Sequence, residues 1–232
     1  MPSMRSLIIN ADDFGQTSGI NRGVIQAHRR GIVTSTSLMV RWPSSPEAAM
    51  LAVDNPALSV GLHIDLGEWE LREGQWEPRY HVVEADDATA VAREMANQLA
   101  EFHRLLGRAP THLDSHQHVH MRSPVREAAA EAAAKIGVPL RHCGAVRYCG
   151  DFYGQTESGQ PTPDAISPDG LLRILEALPE GCTELACHPA TARDIDTMYS
   201  SERLVELETL CDSRVRSAIR NLEIELVSFT RW

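Results

Sequence analysis

Two adjacent carboxylates, Asp12 and Asp13, close an apolar run, Leu7-Ile8-Ile9-Asn10-Ala11, and Gly15 follows before a helical pattern begins. The run reads as a buried strand that delivers two acids to its C-terminal end, where parallel α/β enzymes keep their chemistry. Neighbouring side chains on a strand diverge. One acid can therefore hold a metal while the other faces a substrate. The plainer reading is a βα turn in which one aspartate caps the next helix. The histidines further along the chain weigh against it.

The stretch His112-Leu113-Asp114-Ser115-His116-Gln117-His118-Val119-His120 carries four imidazoles and a carboxylate at a spacing of two. If the strand runs that far, His112, Asp114, His116, His118 and His120 share one face. Neutral imidazole is a frequent metal ligand and carboxylates complete its shell, although a solvated polar loop would also read this way. His63, in Gly61-Leu62-His63-Ile64, marks a third strand end. Asp13, His63 and His116 would then converge as an Asp-His-His set that leaves positions open for water and substrate. His188, in Cys187-His188-Pro189, would lie on the same edge and serve as a general acid. Arg141 would pair with an active-site carboxylate and hold it ionised. Asp114 would orient a ligating histidine. Cys187 neighbours His188 on a strand and points to the opposite face, so a Cys–His nucleophile is not expected. No G-x-S-x-G, P-loop or G-x-G-x-x-G occurs.

Positioning these residues requires strands that end on one edge. Strands are expected over residues 6–11, 32–40, 58–66, 111–119, 139–146, 184–188 and 223–229. Helices are expected over 18–30, 43–53, 87–106, 124–136, 169–178 and, in two pieces, 200–221. Residues 67–86 and 151–168 read as two long irregular loops on the face that carries the strand ends. Strand–helix alternation to the end of the chain implies a parallel α/β architecture. About seven βα units suit a closed or slightly open barrel better than a three-layer sandwich. Without repeat or linker, residues 1–232 read as a single domain.

The net charge of −10 argues against nucleic acid or an anionic membrane as partner, since both need a basic face. No apolar run approaches the ~20 residues of a membrane span. Met1-Pro2-Ser3-Met4-Arg5 runs straight into the first expected strand, with no charged region followed by an apolar one, so no signal peptide is expected. Five cysteines, none spaced as CxxC, are expected as reduced thiols in the cytoplasm.

The motifs Asn10-Ala11-Asp12-Asp13-Phe14-Gly15, Gly31-Ile32-Val33-Thr34-Ser35-Thr36-Ser37, Gly61-Leu62-His63, Asp114-Ser115-His116-Gln117-His118-Val119-His120 and Cys187-His188-Pro189 come in this order. Together they resemble the YdjC-like carbohydrate deacetylase family, over the chain from about residue 6 to its end. The resemblance implies a distorted (β/α) barrel related to the polysaccharide deacetylases. It implies hydrolytic removal of an N-acetyl group from an acetylated amino sugar or short oligosaccharide. It also implies one divalent metal ion on Asp13, His63 and His116, with Asp12 as base, His188 as acid and a homodimeric assembly. Mg2+ and Zn2+ are the foremost metals, and the donor set also suits iron, manganese or cobalt. Trp69 and Trp76 would offer flat surfaces to the sugar, and Asp114 counts with the substrate-binding groups. Two alternatives stand beside this reading. One is a metallohydrolase such as a phosphoesterase, with His118 and His120 on a second metal ~3.5–4 Å from the first. The other is a non-catalytic sugar-binding relative.

Overall fold

The computed structural model describes residues 5–72 and 74–231. In chain order the elements are β1 (Arg5–Phe14), α1 (Ser18–Arg30), β2 (Ser35–Leu38), α2 (Ser45–Val53) and β3 (Ser59–Ile64). A hairpin follows, β4 (Gly67–Arg72) and β5 (Gln75–His81), then α3 (Ala88–Leu106), β6 (Leu113–Ser115) and α4 (Val125–Ile136). The chain continues through β7 (Arg147–Cys149), α5 (Pro168–Ala177), β8 (Gly181–Cys187), α6 (Glu202–Leu210), α7 (Ser213–Asn221) and β9 (Glu225–Leu226). Local chemistry sets the helix ends. Thr17, Asp87, Ser167 and Asp212 each accept a first-turn N–H of the helix they precede, and Gly107 and Gly137 end α3 and α4 in the left-handed conformation.

One seven-stranded sheet runs β6-β3-β2-β1-β8-β7, every ladder parallel, with β9 pairing the start of β1. The strands of this sheet follow one another around it in chain order, and β8 returns beside β1, as in a singly wound barrel. The barrel is left open between β7 and the stub at Leu140, which bridges to Leu113. A curled, half-closed α/β barrel is thus the observed form of the expected one. Among the described residues no helix is long and apolar enough to cross a membrane.

Alternation along β1 and β8 separates two environments. Leu7, Ile9, Ala11, Leu185 and Cys187 join the large core formed with the helices. Ile8 and Cys182 instead join Val227 and Phe229 in a small apolar cluster. Further up the same inward face stand Asn10, Asp12 and Glu184, all buried. The barrel is therefore apolar at its base and polar towards the strand ends. His112 belongs to this interior: its ring stacks on Phe229 at 3.9 Å and bonds Ser37 at 3.1 Å.

Four expectations about local structure are corrected. Most of the expected irregular loop at 67–86 is instead the hairpin of β4 and β5, which ends at His81; charged residues on both faces and a shifted register between Glu68 and Trp69 hide its alternation. The second strand shortens from 32–40 to Ser35–Leu38. The strand expected at 111–119 stops at Ser115 and gives way to a 3-10 segment, His116–Met121, in which Gln117 and His118 have φ of 50° and 53°. The fifth strand, expected at 139–146, shrinks to the Leu140 bridge and reappears at Arg147–Cys149.

Gly61 makes room for the buried His112 ring, whose nearest atom lies 2.4 Å from where a Cβ would stand. Gly61→Ala must displace that ring and is expected to cost about 1–3 kcal/mol, as overpacking does. Urea denaturation reads the loss; wild-type stability would show that the ring can give way.

Candidate metal and acid–base site

Arg141 lies just past the Leu140 bridge, 2% exposed, with three carboxylates around its guanidinium. Its Nη1 and Nη2 donate to the two oxygens of Asp12 at 2.7 and 2.8 Å. Nη2 also meets Asp114 at 2.8 Å, and Nε donates to Glu184 at 2.8 Å. Asn10 donates a further bond to Asp12 at 2.8 Å. Burial alone would raise the Asp12 carboxyl, but Arg141 holds it below its ordinary range.

Asp13 points elsewhere. Its φ of 66° turns the chain at the end of β1, where the register with β2 shifts. Its Oδ1 lies 3.1 Å from His116 Nδ1 and 3.4 Å from His63 Nε2. Its Oδ2 accepts from Arg203 Nη2 at 2.6 Å. Burial works against ionisation of Asp13, yet Arg203 and His116 hold its pKa well below the usual range. His63 is braced from behind by Asp114, whose Oδ1 sits 2.8 Å from Nδ1. Nε2 is thereby turned toward Asp13.

Among the described residues two sets of three groups stand close enough to hold a metal ion: Asp13, His63 and His116, and Asp12, His63 and Asp114. The second set already surrounds a cation, because Arg141 bonds both of its carboxylates. The first fits a divalent ion. Its donors are one ionised carboxylate and two imidazoles, and His63 Nε2 and His116 Nδ1 both face the same oxygen of Asp13.

His188 follows β8. The ladder pairs Ala11 with Cys187, which brings His188 beside Asp12 at the same edge. The buried Glu206 of α6 accepts the His188 backbone N–H, and its carboxylate lies 3.8 Å from Nδ1. Tyr199 donates to the same carboxylate. Tyr153 stacks on Tyr199 at 4.2 Å and stands edge-on to His188 at 5.6 Å.

Asp12, Asp13, His63, His116, Arg141 and His188 thus meet at the expected edge. Asp114, expected both behind a histidine and at the substrate, is fully buried and spent on His63, Arg141 and Ser37, so no face of it is left for a sugar. Trp69 is half-buried on β4 and Trp76 is 56% exposed on β5. His118 and His120 do not join Asp13, His63 and His116. His120 is used by Ser115 and the Arg141 carbonyl, and His118 meets the Tyr148 hydroxyl at 3.0 Å. The left-handed turn at Gln117 and His118 sends them away, and among the described residues neither belongs to a set of groups close enough to hold a metal ion, so the two-metal alternative is not favoured.

Arg203, Glu206, Glu184 and Glu68 escaped the sequence reading. Glu184 had a signal, being a carboxylate inside a strand. Arg203 and Glu206 are three apart on a helix and look like solvated residues, although both are buried. Glu68 was lost with the unseen hairpin.

The YdjC-like protein family matches residues 6–221. A carbohydrate deacetylase of Geobacillus stearothermophilus is 29% identical, with 98% of this chain and 98% of that protein covered. A chitooligosaccharide deacetylase of Salmonella paratyphi B is 35% identical, with 93% and 94% covered. Among solved structures, a candidate cellobiose-phosphate cleavage protein of Enterococcus faecalis V583 is similar with TM-score 0.79 at 28% identity, 99% of each chain covered. A family 4 carbohydrate esterase from Streptomyces lividans shares the fold, with TM-score 0.58 at 12% identity and 97% and 92% of the chains covered.

Protons and a cation compete for the imidazoles. Burial alone would drive His63 and His116 down, but Asp114 lifts His63 to about 10, and Asp13 with Glu68 lifts His116 to about 9. At pH 7 the metal-free site therefore carries both protons, and a cation must expel them. Apparent metal affinity should rise with pH up to the 9–10 range, by up to about a decade per unit for each proton displaced from an imidazole. Calorimetry in buffers of different ionisation heat measures the release. Binding without proton release at pH 7 would contradict this picture.

Proposed function

We propose, for a chain that belongs to the YdjC-like protein family, metal-dependent hydrolysis of the acetamido group of an acetylated amino sugar or short oligosaccharide, releasing acetate. One observation carries the reading: an Asp-His-His set and a separately held Asp–His acid–base pair share one strand-end edge. The 232 residues are taken as one catalytic domain.

Asp13, His63 and His116 would hold one divalent ion; two imidazoles and a carboxylate suit Zn2+ better than Mg2+. When bound, such an ion supplies Lewis acidity to the amide carbonyl and acidity to the attacking water. Asp12 accepts the proton of that water. Its low pKa makes it a weak base, so it depends on the water being acidified. Arg141 and Asn10 fix the carboxylate without exhausting its lone pairs. His188 hands a proton to the leaving amine, its ring backed by Glu206. Trp76, Trp69 and Tyr153 would offer aromatic faces to the sugar. Five free thiols support a reducing, cytoplasmic setting, and a homodimer follows from the family resemblance.

Acetate release from N-acetylated mono- and oligosaccharides, with and without chelator, tests the reaction. Chelator-resistant release at the full rate would reject the metal reading. Asp12→Asn should keep the metal and lower kcat by ~10²–10⁴, the usual loss for a general base. Asp13→Asn should weaken metal affinity, and excess metal should restore part of the rate. Metal loss in Asp12→Asn would exchange the two roles.

His116→Ala should abolish tight metal binding, whereas His118→Ala should keep it. The reverse result would misplace the ligand along this segment.

A further inference from the structure

The hairpin β4–β5 reaches the metal site through one buried acid. Glu68, the second residue of β4, is 6% exposed. Its Oε2 lies 3.7 Å from His116 Nε2 and accepts from Arg79 Nη1 at 3.1 Å. His116 presents its other nitrogen, Nδ1, to Asp13 at 3.1 Å. The ring thus stands between two carboxylates, one on each nitrogen. Its Nε2 is buried and has no hydrogen-bond partner among the described residues, and Glu68 stands just beyond hydrogen-bond distance as the acid facing it.

The approach of Glu68 is built into the backbone. Gln117 follows His116, and Trp69 follows Glu68. The Gln117 amide spans the gap: Trp69 N–H donates to its Oε1 at 2.9 Å, and its Nε2 donates to the Trp69 carbonyl at 2.7 Å. This reciprocal pair sets the hairpin against the 3-10 segment so that Glu68 faces His116. Arg79, on the neighbouring strand, offsets the charge of the acid.

His63 offers a comparison within the same site. Its Nδ1 is held by Asp114 and its Nε2 is left for the cation. A carboxylate behind a ligating imidazole fixes the tautomer and the ring plane. We propose that Glu68 does the same for His116 from the opposite edge of the ring: it accepts Nε2–H, which leaves the Nδ1 lone pair for the metal. Glu68 is then a positioning residue, and the hairpin is part of the metal centre as well as a wall for substrate. This inference rests on the reading of Asp13, His63 and His116 as the metal site.

Zn2+ binding to the full chain, followed by calorimetry, tests it. Wild type binds one ion per chain. Glu68→Ala weakens the affinity by ~10–100-fold, the usual loss for the partner of a ligating histidine. Glu68→Gln, which keeps the shape and an acceptor oxygen, recovers most of it. The melting temperature of the metal-free Glu68→Gln protein stays at the wild-type value. Wild-type affinity in Glu68→Ala overturns the inference. So does equal weakening in both variants, which would make Glu68 a direct ligand or a simple charge. A wild-type chain that binds no Zn2+ overturns the metal-site reading itself, and this inference with it.

Discussion

The guanidinium of Arg141 is the point on which the site depends. It is sealed inside the polar half of the barrel, and it draws Asp12, Asp114 and Glu184 together from three strands. A buried cation costs several kcal/mol in lost hydration and is tolerated only with well-placed partners. Three acids around one cation leave excess negative charge. Burial lifts Glu184 to about 7, with Arg141 opposing, so Glu184 is the acid closest to carrying a proton at neutral pH. Asp12 and Asp114 stay ionised. A lysine could not replace Arg141, because only a planar fork satisfies several carboxylates in fixed directions.

From that anchor the two adjacent aspartates divide. Asp12 continues the alternation of β1 and meets Arg141. Asp13 leaves it through a left-handed residue and meets Arg203, His63 and His116. Gln117, His118 and His142 are also left-handed, with φ of 50°, 53° and 63°. His118 and His142 stand 5.2 Å apart, ring to ring, on the side of Arg141. Non-glycine residues in this region cost about 1–3 kcal/mol each and persist where the surroundings over-determine them. Here the local return is directional: one turn aims Asp13, and another aims His116 inward while releasing Gln117 to the hairpin.

Strand ends were legible in the sequence because apolar runs terminate in chemistry-bearing residues, as at Asp12, His63 and His188. The order of the strands followed from their alternation with helices. Side-chain direction after Ser115 was not legible. A period of two predicts one face for His116, His118 and His120, and two left-handed torsions at non-glycine residues cancel it. The hairpin was hidden for a different reason: with charged residues on both faces, its alternation does not separate apolar from polar. Arg203 and Glu206 were illegible because burial on α6 comes from the packing of that helix over the His188 turn, where the Ala190 N–H bonds the Arg203 carbonyl. Tertiary placement of this kind leaves no local trace.

The cluster around Arg141 also constrains how the chain can change over generations. Residues 12, 114, 141 and 184 are far apart in sequence, yet replacing Arg141 alone strands the buried carboxylates that it was balancing. Substitutions there are tolerated in combination and penalised singly, so their order matters more than their number. His116 lies outside this cluster and faces Asp13 and Glu68 instead. A descendant that abandoned the chemistry would shed His116 early and keep Arg141 long afterwards, so that the arginine would outlast the activity it once served.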